Sequence, residues 1–183
     1  MVHNKRLIKF YFIESFNKDH IQRLDKDINI IYRNYKEKYN ETKILEIKKF
    51  CKKIGKKFFL ANNVNLTIKL CLDGAYIPSF NKDISVYKLK HKKILIIGSA
   101  HNLKQINEKK KQGVQVIFLS PLFKVNKTHK FLGVTRFNIL ANFFNGNIVA
   151  LGGITKNNIK KVMLLNCFGF ASISYIKENT SIK

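Results

Sequence analysis

The chain is poor in cysteine, in acid and in arginine, and it has no long apolar run. Its three cysteines, Cys51, Cys71 and Cys167, stand apart with no C-x-x-C spacing. So sparse and odd a set argues against a disulfide framework and for a reducing compartment. No stretch approaches the ~18 apolar residues of a membrane span. The basic opening Met1–Arg6 and the apolar residues 7–13 have the outline of a signal peptide. The apolar part is short, contains Lys9 and lacks a small-residue cleavage site, so it reads as a first strand and the protein as cytoplasmic. Repeats and linkers are absent too, and 183 residues are expected to form one domain over 1–183.

Eleven acidic residues face 35 basic ones, a formal net charge of +24. A field of that size attracts nucleic acid and other polyanions. The lysines are nevertheless spread along the chain, on stretches with helical periodicity: Lys48, Lys49, Lys52, Lys53, Lys104, Lys109, Lys110, Lys111, Lys160 and Lys161. Arginine, the usual reader of bases and phosphates, is scarce. No RRM, KH or helix-turn-helix pattern is present. The lysines therefore read as solvated helix faces, in a composition also rich in Asn and Ile. The partners expected are a phosphorylated small molecule and, weakly and without sequence preference, nucleic acid; no membrane partner is expected.

What the chain does have is alternation. Short β-branched and aromatic runs recur about twenty residues apart, at 8–13, 28–33, 57–61, 74–77, 94–98, 115–119, 147–151 and 169–173. Several are continuously apolar, as strands buried on both faces are. Helix-period stretches lie between them. One covers 42–54, with Thr42 as N-cap, Ile44, Leu45, Ile47, Phe50, Cys51 and Ile54 on one stripe, and Gly55 as the stop. A second covers 102–112, with Leu103 and Ile106 inward, and a third 157–165, with Ile159, Val162, Met163 and Leu165 inward. Residues 83–90 leave room for only a short element, and 177–183 are polar enough to read as a loose tail. Eight strands alternating with helices predict an α/β fold, a compact TIM (β/α)₈ barrel rather than an open sheet of five or six strands.

The sharpest local signal lies in the last two units. Val149-Ala150-Leu151-Gly152-Gly153-Ile154 runs a strand into a double glycine and then a helix start. Gly169-Phe170-Ala171-Ser172-Ile173-Ser174 runs a strand into a hydroxyl residue and another helix start. Glycines let backbone approach an anion at φ > 0, and helix N-termini present unpaired N–H groups. In a (β/α)₈ barrel a phosphate typically sits at the loops after strands seven and eight. Gly152, Gly153, Ile173 and Ser174 are therefore the candidate phosphate-binding residues. A tight strand-to-helix turn without a ligand is the structural alternative.

These residues also carry a resemblance. VALGGITKNNIKKVMLLNCFGFASISYI (149–176) is similar to the ending of the thiamine-phosphate synthase/TenI family, an A-x-GGI turn, a helix and a G-x-A-x-x-S strand that bind the phosphate of thiazole phosphate. IIGSAHNLKQINEKKKQGVQVIFLSPLF (96–123) resembles the family's strand five to strand six, and FFLANNVNLTIKLCLDGAYIP (58–78) its strands three and four, with Asp73-Gly74 in the A-D-G-V-H-L position. The resemblance covers nearly the whole chain and is thin before Lys57. It implies condensation of hydroxymethylpyrimidine diphosphate with thiazole phosphate: diphosphate leaves the pyrimidine, and the thiazole nitrogen attacks the cation.

The chain departs from that pattern where the resemblance implies diphosphate and metal. Of the strand-two Q-x-R-x-K only Arg33 remains. The Asn-Asp-Arg after strand three reads Ala61-Asn62-Asn63, and the acid after strand four is matched by Asn81, with Asp83 two further on. Arg33 and Asn62 are the implied catalytic positions, and Asn62 with Asn81 a degenerate Mg²⁺ site. Mg²⁺ favours carboxylates, so this donor set makes it a doubtful cofactor. After strand six, Lys127, Thr128 and His129 stand where the family closes a loop over the thiazole phosphate, and His101 follows strand five. His3, His20 and His91 read as surface residues. Pro121 stands where tautomerising members have His. The three cysteines, read on helices as buried small side chains, do not suit the deaminating type. Three functions stand side by side: a synthase-type transferase, a non-catalytic or regulatory barrel for thiazole or thiamine phosphate, and a basic nucleic-acid-binding protein. Oligomeric state is not legible.

Overall fold

The structure, a computed structural model, describes residues 7–89, 94–126 and 128–180. Eight strands alternate with helices: β1 (Ile8–Ile13), α1 (Lys18–Arg23), β2 (Ile28–Tyr32), α2 (Glu41–Lys53), β3 (Phe58–Ala61), α3 (Val64–Lys69), β4 (Gly74–Ile77), β5 (Leu95–Ala100), α4 (Leu103–Lys111), β6 (Val116–Leu119), α5 (Gly133–Ala141), β7 (Asn147–Leu151), α6 (Ile159–Val162), β8 (Gly169–Ala171) and α7 (Ser174–Thr180). Between β4 and β5 the chain makes only a 3₁₀ helix, Ile84–Leu89. The strands pair in chain order, all parallel, and β8 closes on β1. The compact TIM barrel is thus confirmed. No helix among the described residues is long and apolar enough to cross a membrane.

Alternation along the strands sorts the core. Inward residues pack the barrel interior, including Phe10 and Phe12 from β1, Phe59 from β3, Tyr76 from β4 and Phe118 from β6. Phe118 meets the rings of Phe10, Phe12 and Tyr76 edge-on, at centroid distances of 5.0, 6.0 and 5.5 Å. The interior is a packed core rather than a pore, as in barrels of this type. Outward residues pack under the helices in two belts, one around Ile30, Ile44, Ile47 and Leu60, the other around Ile96, Ile106, Phe137 and Val162.

Several helix expectations need correction. Asn40, not Thr42, caps α2: its side chain accepts from the Lys43 N–H at 3.1 Å, so the helix starts earlier. Leu103 is 38% exposed at the first position of α4. Met163 faces solvent because the chain after α6 tightens. Met163, Leu164 and Leu165 donate to carbonyls three residues back. At about three residues per turn, Ile159, Val162 and Leu165 share a face and Met163 leaves it. Residues 177–180 continue α7, anchored by buried Ile176, instead of forming a loose tail. Cys71 is exposed, just past α3, at φ 46°, whereas Cys51 and Cys167 are buried as expected. His20 is half-buried against the Tyr11 hydroxyl at 3.0 Å rather than free on the surface; His3 and His91 lie outside the described residues.

Candidate functional site

Strands β7 and β8 end side by side, Leu151 paired with Ala171, so Gly152 and Ser172 leave the barrel together. Gly152 and Gly153 take φ of 95° and 69°, a region open to glycine and strained for other residues. The carbonyls of this turn are tied back into the protein. Leu151 O accepts from Leu122 N at 2.8 Å, Gly152 O from Phe123 N at 3.1 Å, and Gly153 O from Asn158 Nδ2 at 2.8 Å. The Ser172 hydroxyl donates to Ile154 O at 2.7 Å and accepts from Tyr175 N at 3.1 Å, locking α7 to the turn. Among the described residues the N–H groups of Gly153, Ile173 and Ser174 have no hydrogen-bond partner. Bonded carbonyls and free N–H groups, with a helix start alongside, make an environment suited to an anion.

The loop after β6 presses on this turn with its backbone. A Cβ on Gly153 would lie 2.6 Å from Lys124 O and 2.7 Å from Phe123 O. Bulk at Gly153 would therefore strike the backbone of that loop. Further along, Val125 and Thr128 make an antiparallel bridge, and Thr128 lines a cleft of about 420 Å³ with His101, Lys130 and Arg136. His129 is exposed, and Lys127 lies outside the described residues. No hydrogen bond among the described residues joins Thr128 or His129 to the glycine turn.

Across the mouth, Arg33 follows β2 and lays its guanidinium over the Phe12 ring, 4.6 Å from the centroid. Among the described residues no carboxylate lies within salt-bridge distance of it, so its donors are free for a ligand. Tyr35 and Phe80, from the loops after β2 and β4, stack edge-on with centroids 5.5 Å apart. Asn62, at φ 54°, and Asn81 meet directly: Asn81 Nδ2 donates to Asn62 Oδ1 at 2.8 Å. Asn81 Oδ1 accepts from Asp83 N at 2.9 Å, and Asp83 Oδ1 in turn from Ser85 N at 2.9 Å. The Ser85 hydroxyl and N–H hold the Asp83 carboxyl below its ordinary range.

His101 is gripped at both ring nitrogens. Nδ1 lies 2.8 Å from Ser120 O and Nε2 3.1 Å from Ser79 Oγ. A carbonyl only accepts, so Nδ1 carries a proton toward Ser120 O, and Nε2 shares its bond with the Ser79 hydroxyl, which can donate or accept. Buried Tyr76 bonds Ser99, and burial raises its pKa. The sequence reading missed Ser79, Ser99, Ser120 and the Phe12–Tyr76 floor. The period-two alternation of Phe10 and Phe12 was the available signal for the floor; the serines carried none.

Two cations depart from the solvated-lysine reading. Lys109 is fully buried and Lys56 is 6% exposed, its ammonium set among the carbonyls of Leu24, Asp25 and Ile28. Burial lowers both pKa values, that of Lys109 to about 8 against an upward pull from Glu108. The other helix-borne lysines stay dispersed, so nucleic-acid binding is expected to be sequence-blind and to collapse between about 50 and 200 mM salt. Fluorescence anisotropy with random DNA checks this, and tight binding persisting at the higher salt would overturn it.

The thiamine monophosphate synthase family model matches residues 22–176. A thiamine-phosphate synthase of Prochlorococcus marinus subsp. pastoris is 30% identical over 141 residues, covering 74% of this chain and 40% of that protein, so the chain spans two-fifths of that relative. One of Clostridium perfringens strain 13 is 23% identical over 195 residues, covering 98% of this chain and 93% of that protein. A solved thiamine phosphate pyrophosphorylase from Pyrococcus furiosus superposes with a TM-score of 0.76 at 17% identity, over 97% of this chain and 93% of that one, and shares the fold. With the family model matched across most of its length, the chain belongs to the thiamine monophosphate synthase family.

Proposed function

We propose that the chain is a cytoplasmic, synthase-type transferase that binds thiazole phosphate at the β7/β8 end and couples it to hydroxymethylpyrimidine diphosphate. The observation that carries this reading is the set of N–H groups at Gly153, Ile173 and Ser174 that have no partner among the described residues, beside a double glycine whose carbonyls are bonded away. Arg33, with no carboxylate partner among the described residues, is the group suited to the leaving diphosphate, bidentately. The donor set does not fit Mg²⁺: Asn62 and Asn81 are neutral and hold each other, and no cluster of three His, Cys, Asp or Glu exists among the described residues. That same amide pair favours a second reading, a barrel that holds thiazole or thiamine phosphate without turnover.

Thermal shift and calorimetry with thiazole phosphate, thiamine phosphate and the pyrimidine diphosphate, with and without Mg²⁺, separate these readings. Binding of thiazole phosphate is expected, weakened in Ser174→Ala by about 0.5–1.5 kcal/mol, or up to about 3 if the lost hydroxyl bond is to charged phosphate. Product formation supports the transferase; binding without product supports the second reading. No binding of either monophosphate sinks both. Asn62→Asp/Asn81→Asp is expected to raise Mg²⁺ affinity, and strong saturable Mg²⁺ dependence in the wild type would show that other ligands were overlooked.

A further inference from the structure

Lys109 sits in α4 beside Lys110 and Lys111, which are exposed; Lys109 is not. Its Nζ donates to Pro78 O at 2.9 Å, Asn81 O at 2.8 Å and Gln112 Oε1 at 2.7 Å. Three acceptors around one nitrogen require three N–H donors, which only the ammonium has. Desolvating an ammonium costs several kcal/mol unless its partners are well placed. Here the partners are the underside of one loop. Gln112 completes the grip, donating to Asn81 O at 3.1 Å and Asp83 O at 3.0 Å. The upper side of the same loop faces the mouth: the Ser79 hydroxyl bonds His101, the Ser79 N–H donates to Ser99 Oγ, and Asn81 Nδ2 donates to Asn62 Oδ1.

We propose that Lys109 is a positioning residue of the mouth, an internal cation that fixes the backbone of residues 78–83 and so sets Asn81 against Asn62 and Ser79 against His101, with no divalent ion required. The inference rests on the mouth being the ligand site. Its physical core is that one charge, delivered from α4 below, does for this loop what a bound cation coordinated from above could do, without taking up space in the mouth.

The test is Lys109→Met, which keeps length and removes the charge, with Lys104→Met as an exposed control. In the ligand-free protein, amide exchange at Asn81 and Asp83 is expected to quicken about tenfold or more while β6 and β7 stay protected. Millimolar Mg²⁺ is expected to leave wild-type exchange there unchanged. In EDTA, thiamine phosphate affinity is expected to fall about tenfold in Lys109→Met, whereas thiazole phosphate, held at β7/β8, binds as in wild type. Unchanged exchange at 81 and 83, a Mg²⁺-induced slowing in wild type, or equal loss of both ligands would overturn the proposal. Should Lys109→Met not fold, Gln112→Met is expected to move the same amides in the same direction by a smaller factor. If neither ligand binds the wild type, the proposed function fails while the exchange result still decides the role of Lys109.

Discussion

Gly153→Ala is expected to cost about 2–5 kcal/mol and to abolish thiazole phosphate binding. A left-handed backbone costs a side-chain-bearing residue about 1–2 kcal/mol. Gly153 has φ 69°, and the new Cβ would lie within 2.7 Å of the Phe123 and Lys124 backbone. Neighbouring backbone cannot rotate away as a side chain can, so the loop after β6 must move, at the ~1–3 kcal/mol typical of overpacking. Gly55→Ala supplies the control: φ is 70° there and nothing lies within 4 Å, so only the conformational cost remains. Urea denaturation of both variants isolates the loop contact. If Gly153→Ala costs no more than Gly55→Ala, the loop is not seated on the turn; if it binds thiazole phosphate like wild type, the site is elsewhere.

The other large effect lies in the floor. Phe118→Ala is expected to destabilise the barrel by about 3–5 kcal/mol, since it opens a cavity among rings that have little room to collapse. Phe118 is fully buried, and it props Phe12, on which the Arg33 guanidinium rests. A domain's stability is of order 5–15 kcal/mol, so the variant would keep a small margin at best. Phe118→Leu is expected to retain most stability while letting the Phe12 ring shift, so ligand affinity on the Arg33 side falls more than stability does. Equilibrium unfolding with calorimetry checks both variants. A cost under 1 kcal/mol for the alanine would mean that the interior is not packed as described.

Together these sites divide the mouth by chemistry. The β7/β8 end offers backbone donors and needs no side-chain charge. The β2–β4 side offers the Arg33 guanidinium, which has no carboxylate partner among the described residues, an aromatic floor and a neutral amide pair. The resemblance implies carboxylates at the amide positions, and their loss is visible in the sequence. That the two amides are engaged with each other, and the loop below them with an ammonium, is not.

The strand pattern was legible by itself. Continuous apolar runs such as Ile94-Leu95-Ile96-Ile97 need burial on both faces, and a closed parallel sheet wrapped in helices provides it. The glycine turn was legible too, because a double glycine between strand and helix has few other uses. Helix faces were less so. Met163 depended on whether the chain wound at 3.6 or at about three residues per turn, which periodicity over four residues cannot tell. Lys109 was the least legible of all. A lysine in a run of lysines reads as solvated, and what buries it is a carbonyl-rich loop thirty residues earlier. Local sequence determined the elements and the anion-suited turn, since those depend on neighbours along the chain. Only tertiary structure decided which carbonyls surround Lys109, which amide meets Asn62 and what Gly153 would strike, because those partners meet only when the barrel closes.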